Sequence, residues 1–217
     1  VKQILKPQGW FVFEVPYWKW MVDHHRYDMI YHEHTSYFTL TSVYNLLKKV
    51  GLSVVHFELV DYHGVSLRIW AKSTEQVSCS VELLNMMAQE RDQGLFQALT
   101  YKKFSSRIFA DRNRTLERLL SIKNKNPRRP IIGVGAAAKA NTWLNYHAIN
   151  HLLVDYITDS SPHKQGKFTP LSRIPIVDDE VFAQYDRPLA LVLSWNINDQ
   201  LKANIKKINK NTEFINI

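Results

Sequence analysis

Pro130-Ile131-Ile132-Gly133-Val134-Gly135-Ala136-Ala137-Ala138-Lys139 is an apolar run that opens on proline, ends in a glycine and passes into alanines. The run reads as a strand leading into a Gly-rich turn, and residues 139–149 read as the helix that follows. Beyond it, residues 152–158, 174–177, 189–195 and 212–217 are further strand candidates, with helices expected over 178–185 and 197–209. Alternating strands and helices imply a parallel sheet with its ligand site at the carboxyl edge. Residues 130–217 are therefore expected to form a Rossmann-like α/β domain.

The pattern Gly133-x-Gly135-x-x-Ala138 fits a loose dinucleotide fingerprint. That fingerprint expects an acid about twenty residues on, and Asp159 falls a little late for it. Lys139, in the first helical turn, favours a phosphate on the helix start, which suits a dinucleotide and a nucleotide sugar equally.

Toward the amino terminus, Lys123-Asn124-Lys125-Asn126-Pro127-Arg128-Arg129-Pro130 reads as a linker. Upstream of it, Leu83, Leu84 and Met87 suggest a short helix, and Tyr101, Phe104, Ile108, Leu116, Leu119 and Leu120 a long one. Residues 76–129 are thus expected to be a helical bridge and linker. In residues 1–75, the run 10–16 is expected to be a buried strand of a parallel sheet. Residues 39–50 form a helix capped by Thr39 or Thr41 and stopped by Gly51, and 53–59 and 66–71 form two strands.

Arg26-Tyr27-Asp28-Met29-Ile30-Tyr31-His32-Glu33-His34-Thr35-Ser36-Tyr37-Phe38 is the stretch densest in proton-transfer groups. A carboxylate beside an imidazole can hold one tautomer and stabilise the protonated ring, as abstraction of a weakly acidic proton requires. Two other readings stand beside that one. His32 and His34 share a side of an extended segment and with Glu33 would suit a metal ion, or the cluster is structural.

Tyr31-His32-Glu33-His34-x-x-Tyr37-Phe38, preceded by Glu14-Val15-Pro16-Tyr17, resembles the central segment of S-adenosylmethionine-dependent sugar 3-C-methyltransferases. Residues 135–146 and 157–167 are similar, in the same order, to that family's carboxyl-terminal domain. The resemblance implies a substrate that is a nucleoside-diphosphate 4-keto-6-deoxy sugar. It implies that His34 takes the C3 proton, assisted by Glu33 and Tyr31, and that the enolate attacks the methyl group of S-adenosylmethionine. It further implies substrate contacts at His63 and Arg68, within a His-Gly-x-Ser-x-Arg segment, and a diphosphate site at the Gly-rich turn and the 161–167 loop. The residues concerned are Gly135, Lys139, Asn141, Thr142, Ser161, His163, Lys164 and Lys167.

In that family the 10–16 strand is the fifth of a methyltransferase sheet, so residues 1–75 correspond to its terminal part. The Gly-rich S-adenosylmethionine loop and the zinc-binding segment lie upstream, and neither is in this sequence. No cofactor-binding residue or metal ligand is therefore assigned. A missing amino-terminal domain, or self-association through an exposed sheet edge, is expected to cover the strand. A non-catalytic nucleotide-sugar-binding module and an NAD-binding module are the alternative readings.

The remaining features set bounds. A net charge of +8 is dispersed along 217 residues, which argues against nucleic acid, and a diphosphate-bearing small substrate accounts for a positively charged cleft equally well. One cysteine, no apolar run of membrane length and no signal-peptide form predict a cytoplasmic protein with no membrane partner.

Overall fold

The structure, a computed structural model, describes residues 1–62, 64–74 and 79–215. The chain divides into two compact units, Val1–Arg26 with His34–Ser106, and Tyr27–Glu33 with Arg107–Ile217. Among the described residues no helix is long and apolar enough to cross a membrane.

In the first unit, strand β1 (Phe11–Pro16), helix α1 (Trp18–Asp23), helix α2 (Leu40–Lys49), strands β2 (Ser53–Val60) and β3 (Ser66–Lys72), and helix α3 (Val81–Asp92) follow in order. Helix α4 (Ala98–Lys125) begins in this unit and continues into the second. The sheet order is β1-β3-β2, antiparallel throughout. The buried parallel strand expected at 10–16 is instead a half-buried strand paired antiparallel with β3. Its apolar run hides a period of two. Phe11, Phe13 and Val15 pack on the core, while Val12 is 47% exposed and Glu14 pairs with Arg68 on the outer face.

Helix α2 starts where the sequence indicates. Thr39 accepts from the Ser42 amide and Ser42 accepts from the Thr39 amide, so two otherwise unpaired N–H groups are satisfied. The next two amides bond to a distant side chain. Glu90 of α3, fully buried, accepts from Leu40 N at 2.7 Å, Thr41 N at 2.9 Å, Thr41 Oγ1 at 2.5 Å and Tyr17 Oη at 3.0 Å. The carboxylate thus sits at the positive end of α2. Burial and that neighbouring charge raise the Tyr17 phenol well above its ordinary value, so it stays a donor.

The second unit contains β4 (Ile131–Val134), α5 (Ala138–Tyr146), β5 (Tyr156–Thr158), β6 (Ile176–Val177), β7 (Leu189–Val192), α6 (Asn198–Ile208) and β8 (Glu213–Phe214). All five strands are parallel, in the order β6-β5-β4-β7-β8. Counted from β4 this is 3-2-1-4-5, and the order reverses between β4 and β7. One sheet face packs Ile131, Ile157, Leu189 and Leu191 against Ala140 and Leu144 of α5 and Leu119 of α4. The other packs Ile132, Val134 and Ala190 against Phe182 and Ile205. The mixed α/β class with a parallel Rossmann-like sheet is as the sequence indicated.

Boundaries shift by a few residues. The strand expected over 152–158 shrinks to β5, because Leu152 and Leu153 lie in a turn whose Asn150 side chain accepts from Leu152 N. Helix α5 ends at Tyr146, two residues before Ala148 turns to a φ of +53°. The expected helix over 178–185 is a 3-10 segment, Asp179–Gln184. Asn216 and Ile217, at the end of the last expected strand, lie outside the described residues.

Replacing Glu90 by Ala leaves four buried or part-buried donors without their acceptor, and should lower the unfolding free energy by about 3 kcal/mol or more. Thr39→Ala removes one cap and should cost about 1 kcal/mol. Urea denaturation compares the two, and equal losses would show that Glu90 carries no more than an ordinary cap.

Candidate functional site

The strand order reverses between β4 and β7, and at such a point open α/β sheets bind ligands outside the carboxyl ends of the strands. Gly135 turns the chain there with a φ of +96°, and its amide donates to Thr158 O at 2.8 Å. A Cβ at this position would lie 2.4 Å from Ser194 Oγ, so the turn rests directly on the loop after β7.

Asp159, directly after β5, secures the other side of the turn. Its carboxylate accepts from Ala136 N at 3.0 Å, Ser161 N at 2.9 Å and Lys164 Nζ at 2.9 Å. Burial would raise this carboxyl, but the Lys164, Ser161 and Ala136 donors outweigh it and hold Asp159 below the usual carboxylate range. Asp159 stands where a dinucleotide fold keeps its ribose acid, yet it already accepts three bonds from its own chain. Lys164 also donates to Ala136 O at 3.0 Å, and its side chain remains 44% exposed.

Helix α5 opens at Ala137, which offers no side-chain cap. Asn141, one turn in, has a buried Oδ1 with no hydrogen-bond partner. Lys139 is 9% exposed; it donates to Asn196 Oδ1 and places its ammonium 4.5 Å from the centre of the Trp195 ring. The Trp195 indole donates to Asp28 Oδ2 at 2.6 Å. Gly135, Lys139, Asn141, Ser161 and Lys164 therefore gather around one turn. Thr142 is half-buried on α5, and His163 and Lys167 are exposed in the 161–167 loop.

Residues 27–33 belong to this same unit. Tyr27, Asp28 and Met29 form a buried 3-10 turn, with the Tyr27 ring 4.8 Å from Tyr146. The extended segment expected to align His32 with His34 is not formed. His32 and Glu33 occupy an exposed turn after the bend at Tyr31, so the premise for a shared metal-binding side is lost. Among the described residues no three His, Cys, Asp or Glu side chains converge as a metal site requires.

His34 belongs to the first unit, where its ring meets Tyr37 edge-on at 6.4 Å. Tyr37 lies 4.9 Å from Trp18, whose indole donates to Tyr101 Oη at 3.1 Å. Arg68, on β3, bonds Glu14 and Glu58 across the outer sheet face. His63 lies outside the described residues.

Sequence reasoning passed over Asp28, His147, Ser194 and Trp195. The carboxyl-edge rule pointed to the loop after β7, and an acid between Tyr27 and Met29 was the available signal for Asp28. His147 is 1% exposed, and its Nδ1–H donates to Trp143 O at 2.8 Å. Burial pushes its imidazole below the usual value, outweighing the Trp143 bond; Arg112 lowers it further and Asp111 opposes.

A buried neutral imidazole makes the unit sensitive to acid. The unfolded chain takes up the proton first, so stability is fully present above the unfolded value of about 6.5 and falls as pH drops from there toward the lower folded value. Denaturant titrations at pH 7.5 and pH 5 should show a smaller pH difference for His147→Gln than for the unmodified chain. An unchanged difference would assign the sensitivity elsewhere.

Residues 61–217 match the family model for the C-methyltransferase C-terminal domain, and residues 1–57 match a methyltransferase domain model. The chain is similar to C-methyltransferase NovU of Streptomyces niveus, with 32% identity over 212 residues that make up 97% of this chain and 50% of that protein. It therefore spans about half the length of this curated relative. With the family model covering most of the sequence, down to the Gly135 turn and the strands around it, this chain belongs to the C-methyltransferase C-terminal domain family.

Proposed function

We propose that this chain is the substrate-binding and enolising part of a C-methyltransferase acting at C3 of a nucleoside-diphosphate 4-keto-6-deoxy sugar, with S-adenosylmethionine as methyl donor. The observation that carries this reading is the start of α5. Its first amides have no side-chain cap, the buried Asn141 oxygen lacks a partner, and Lys139 and Lys164 flank the turn. A helix start beside two cations suits a diphosphate, and the Asn141 amide suits the nucleotide's polar groups. The 161–167 loop, with Ser161, His163 and Lys167, closes over the phosphates.

The sugar ring then reaches the 31–34 segment. His34 removes the C3 proton, and the electron pair moves through C3–C4 onto the ketone oxygen. Glu33 orients and supports the imidazole, and the Tyr31 phenol, or His63, donates to the developing oxyanion. S-adenosylmethionine would supply the methyl group to C3. No residue is assigned to hold it; the described glycines of the first unit, Gly9, Gly51, Gly64 and Gly94, follow no parallel strand into a helix. The steps above therefore stop at the enolate.

Calorimetry with UDP, TDP and GDP should detect binding of at least one, weakened by salt and by Lys139→Ala. With a 4-keto sugar nucleotide in deuterated water, C3 should exchange slowly, and His34→Gln should reduce that rate by roughly a hundred- to ten-thousandfold. His32→Ala should do much less. A thermal shift with NADH and none with any nucleoside diphosphate would replace this reading with a dinucleotide module.

A further inference from the structure

We infer that Asp28 is a positioning residue, which holds the Tyr31–Glu33 segment at the carboxyl edge of the β4–β7 sheet through its bond to Trp195. This inference rests on the proposed enolisation for its purpose, but the anchoring can be measured separately.

Asp28 is 5% exposed and stands between Tyr27 and Met29, which are 8% and 5% exposed. A carboxylate at such a place loses hydration that an apolar side chain would never have had. Its identity is therefore set by what it bonds. The Trp195 indole, 167 residues away in sequence, donates to it at 2.6 Å, and a bond to an ionised acceptor is stronger than a neutral one.

The same indole is bracketed by charge. Its N–H edge faces the Asp28 carboxylate, and its face lies 4.5 Å from the Lys139 ammonium. The edge of an aromatic ring is positive and its face negative, so both contacts are favourable. Asp28, Trp195 and Lys139 thus form one array, running from the 27–33 segment to the first turn of α5.

Chain length limits what lies beyond the anchor. Tyr31 is three residues and Glu33 five residues past Asp28, so their Cα atoms lie within about 11 Å and 18 Å of it. Residues 30–33 belong to no helix or strand. Where regular backbone bonds are lacking, side-chain anchors such as this one fix the segment's position.

The test uses the whole 217-residue chain with Asp28→Leu, Trp195→Phe and Asp28→Asn. Amide deuterium exchange over residues 27–33 should rise by roughly tenfold or more in Asp28→Leu and Trp195→Phe, the loss expected for a bond to a charged group. Exchange in β4 and β7 should stay within about twofold of the unmodified chain in both variants, as should affinity for UDP, TDP or GDP in Asp28→Leu, whereas C3 exchange at saturating sugar should fall with the anchor. Asp28→Asn keeps an acceptor oxygen and should restore most of both losses.

The inference is overturned if residues 27–33 exchange as before in both disruptive variants. A rise shared by β4 and β7 also overturns it, because it marks a general loss of stability. If the unmodified chain binds no nucleoside diphosphate and exchanges no C3 proton, the functional reading fails while the amide pattern still decides the anchor.

Discussion

The turn after β4 passes so close to Ser194 that a Cβ on residue 135 would meet that hydroxyl at 2.4 Å, and its φ of +96° is one that side chains rarely adopt. Much of the second unit follows from this approach. The turn joins the carboxyl ends of β4 and β7 at the point where strand order reverses. Gly135 N is tied to Thr158 O of the neighbouring strand, and Ala136 N to Asp159 just past its end. The uncapped start of α5 follows directly on this turn.

A buried carboxylate organises each unit, and the two serve different ends. Glu90 accepts from two amides and a hydroxyl at the start of α2, and from Tyr17 just after β1. It is a long-range helix cap that joins three elements of the first unit. Asp28 accepts from the Trp195 indole and lies three residues before Tyr31. Replacing either with an apolar residue would lessen desolvation but leave donors behind, and those donors make the acid worth keeping.

The elements of the second unit were readable because its pattern is regular. Apolar runs bounded by turn residues gave every strand, and Gly135 and Lys139 marked the carboxyl edge. Strand ends were less readable. Nothing in the apolar run of 152–158 reveals that Leu152 and Leu153 turn on the Asn150 side chain. The 10–16 run misled for a related reason, since Trp10, Phe11, Val12 and Phe13 are apolar whichever face they take. Only pairing with β3 decided that Val12 faces out and Phe13 in.

Sequence alone determined the α/β class and the capped start of α2, because each rests on neighbours within a few residues; it also supplied the carboxyl-edge site and the 31–34 cluster on which the proposed function rests. Tertiary structure decided which cations serve which partner. Lys139 lies over Trp195, 56 positions on, and Lys164 is held by Asp159 and the Ala136 carbonyl. It also decided that residues 27–33 pack with the second unit and His34 with the first. Such allocations depend on residues far apart in sequence, where neither periodicity nor spacing carries information about the partner.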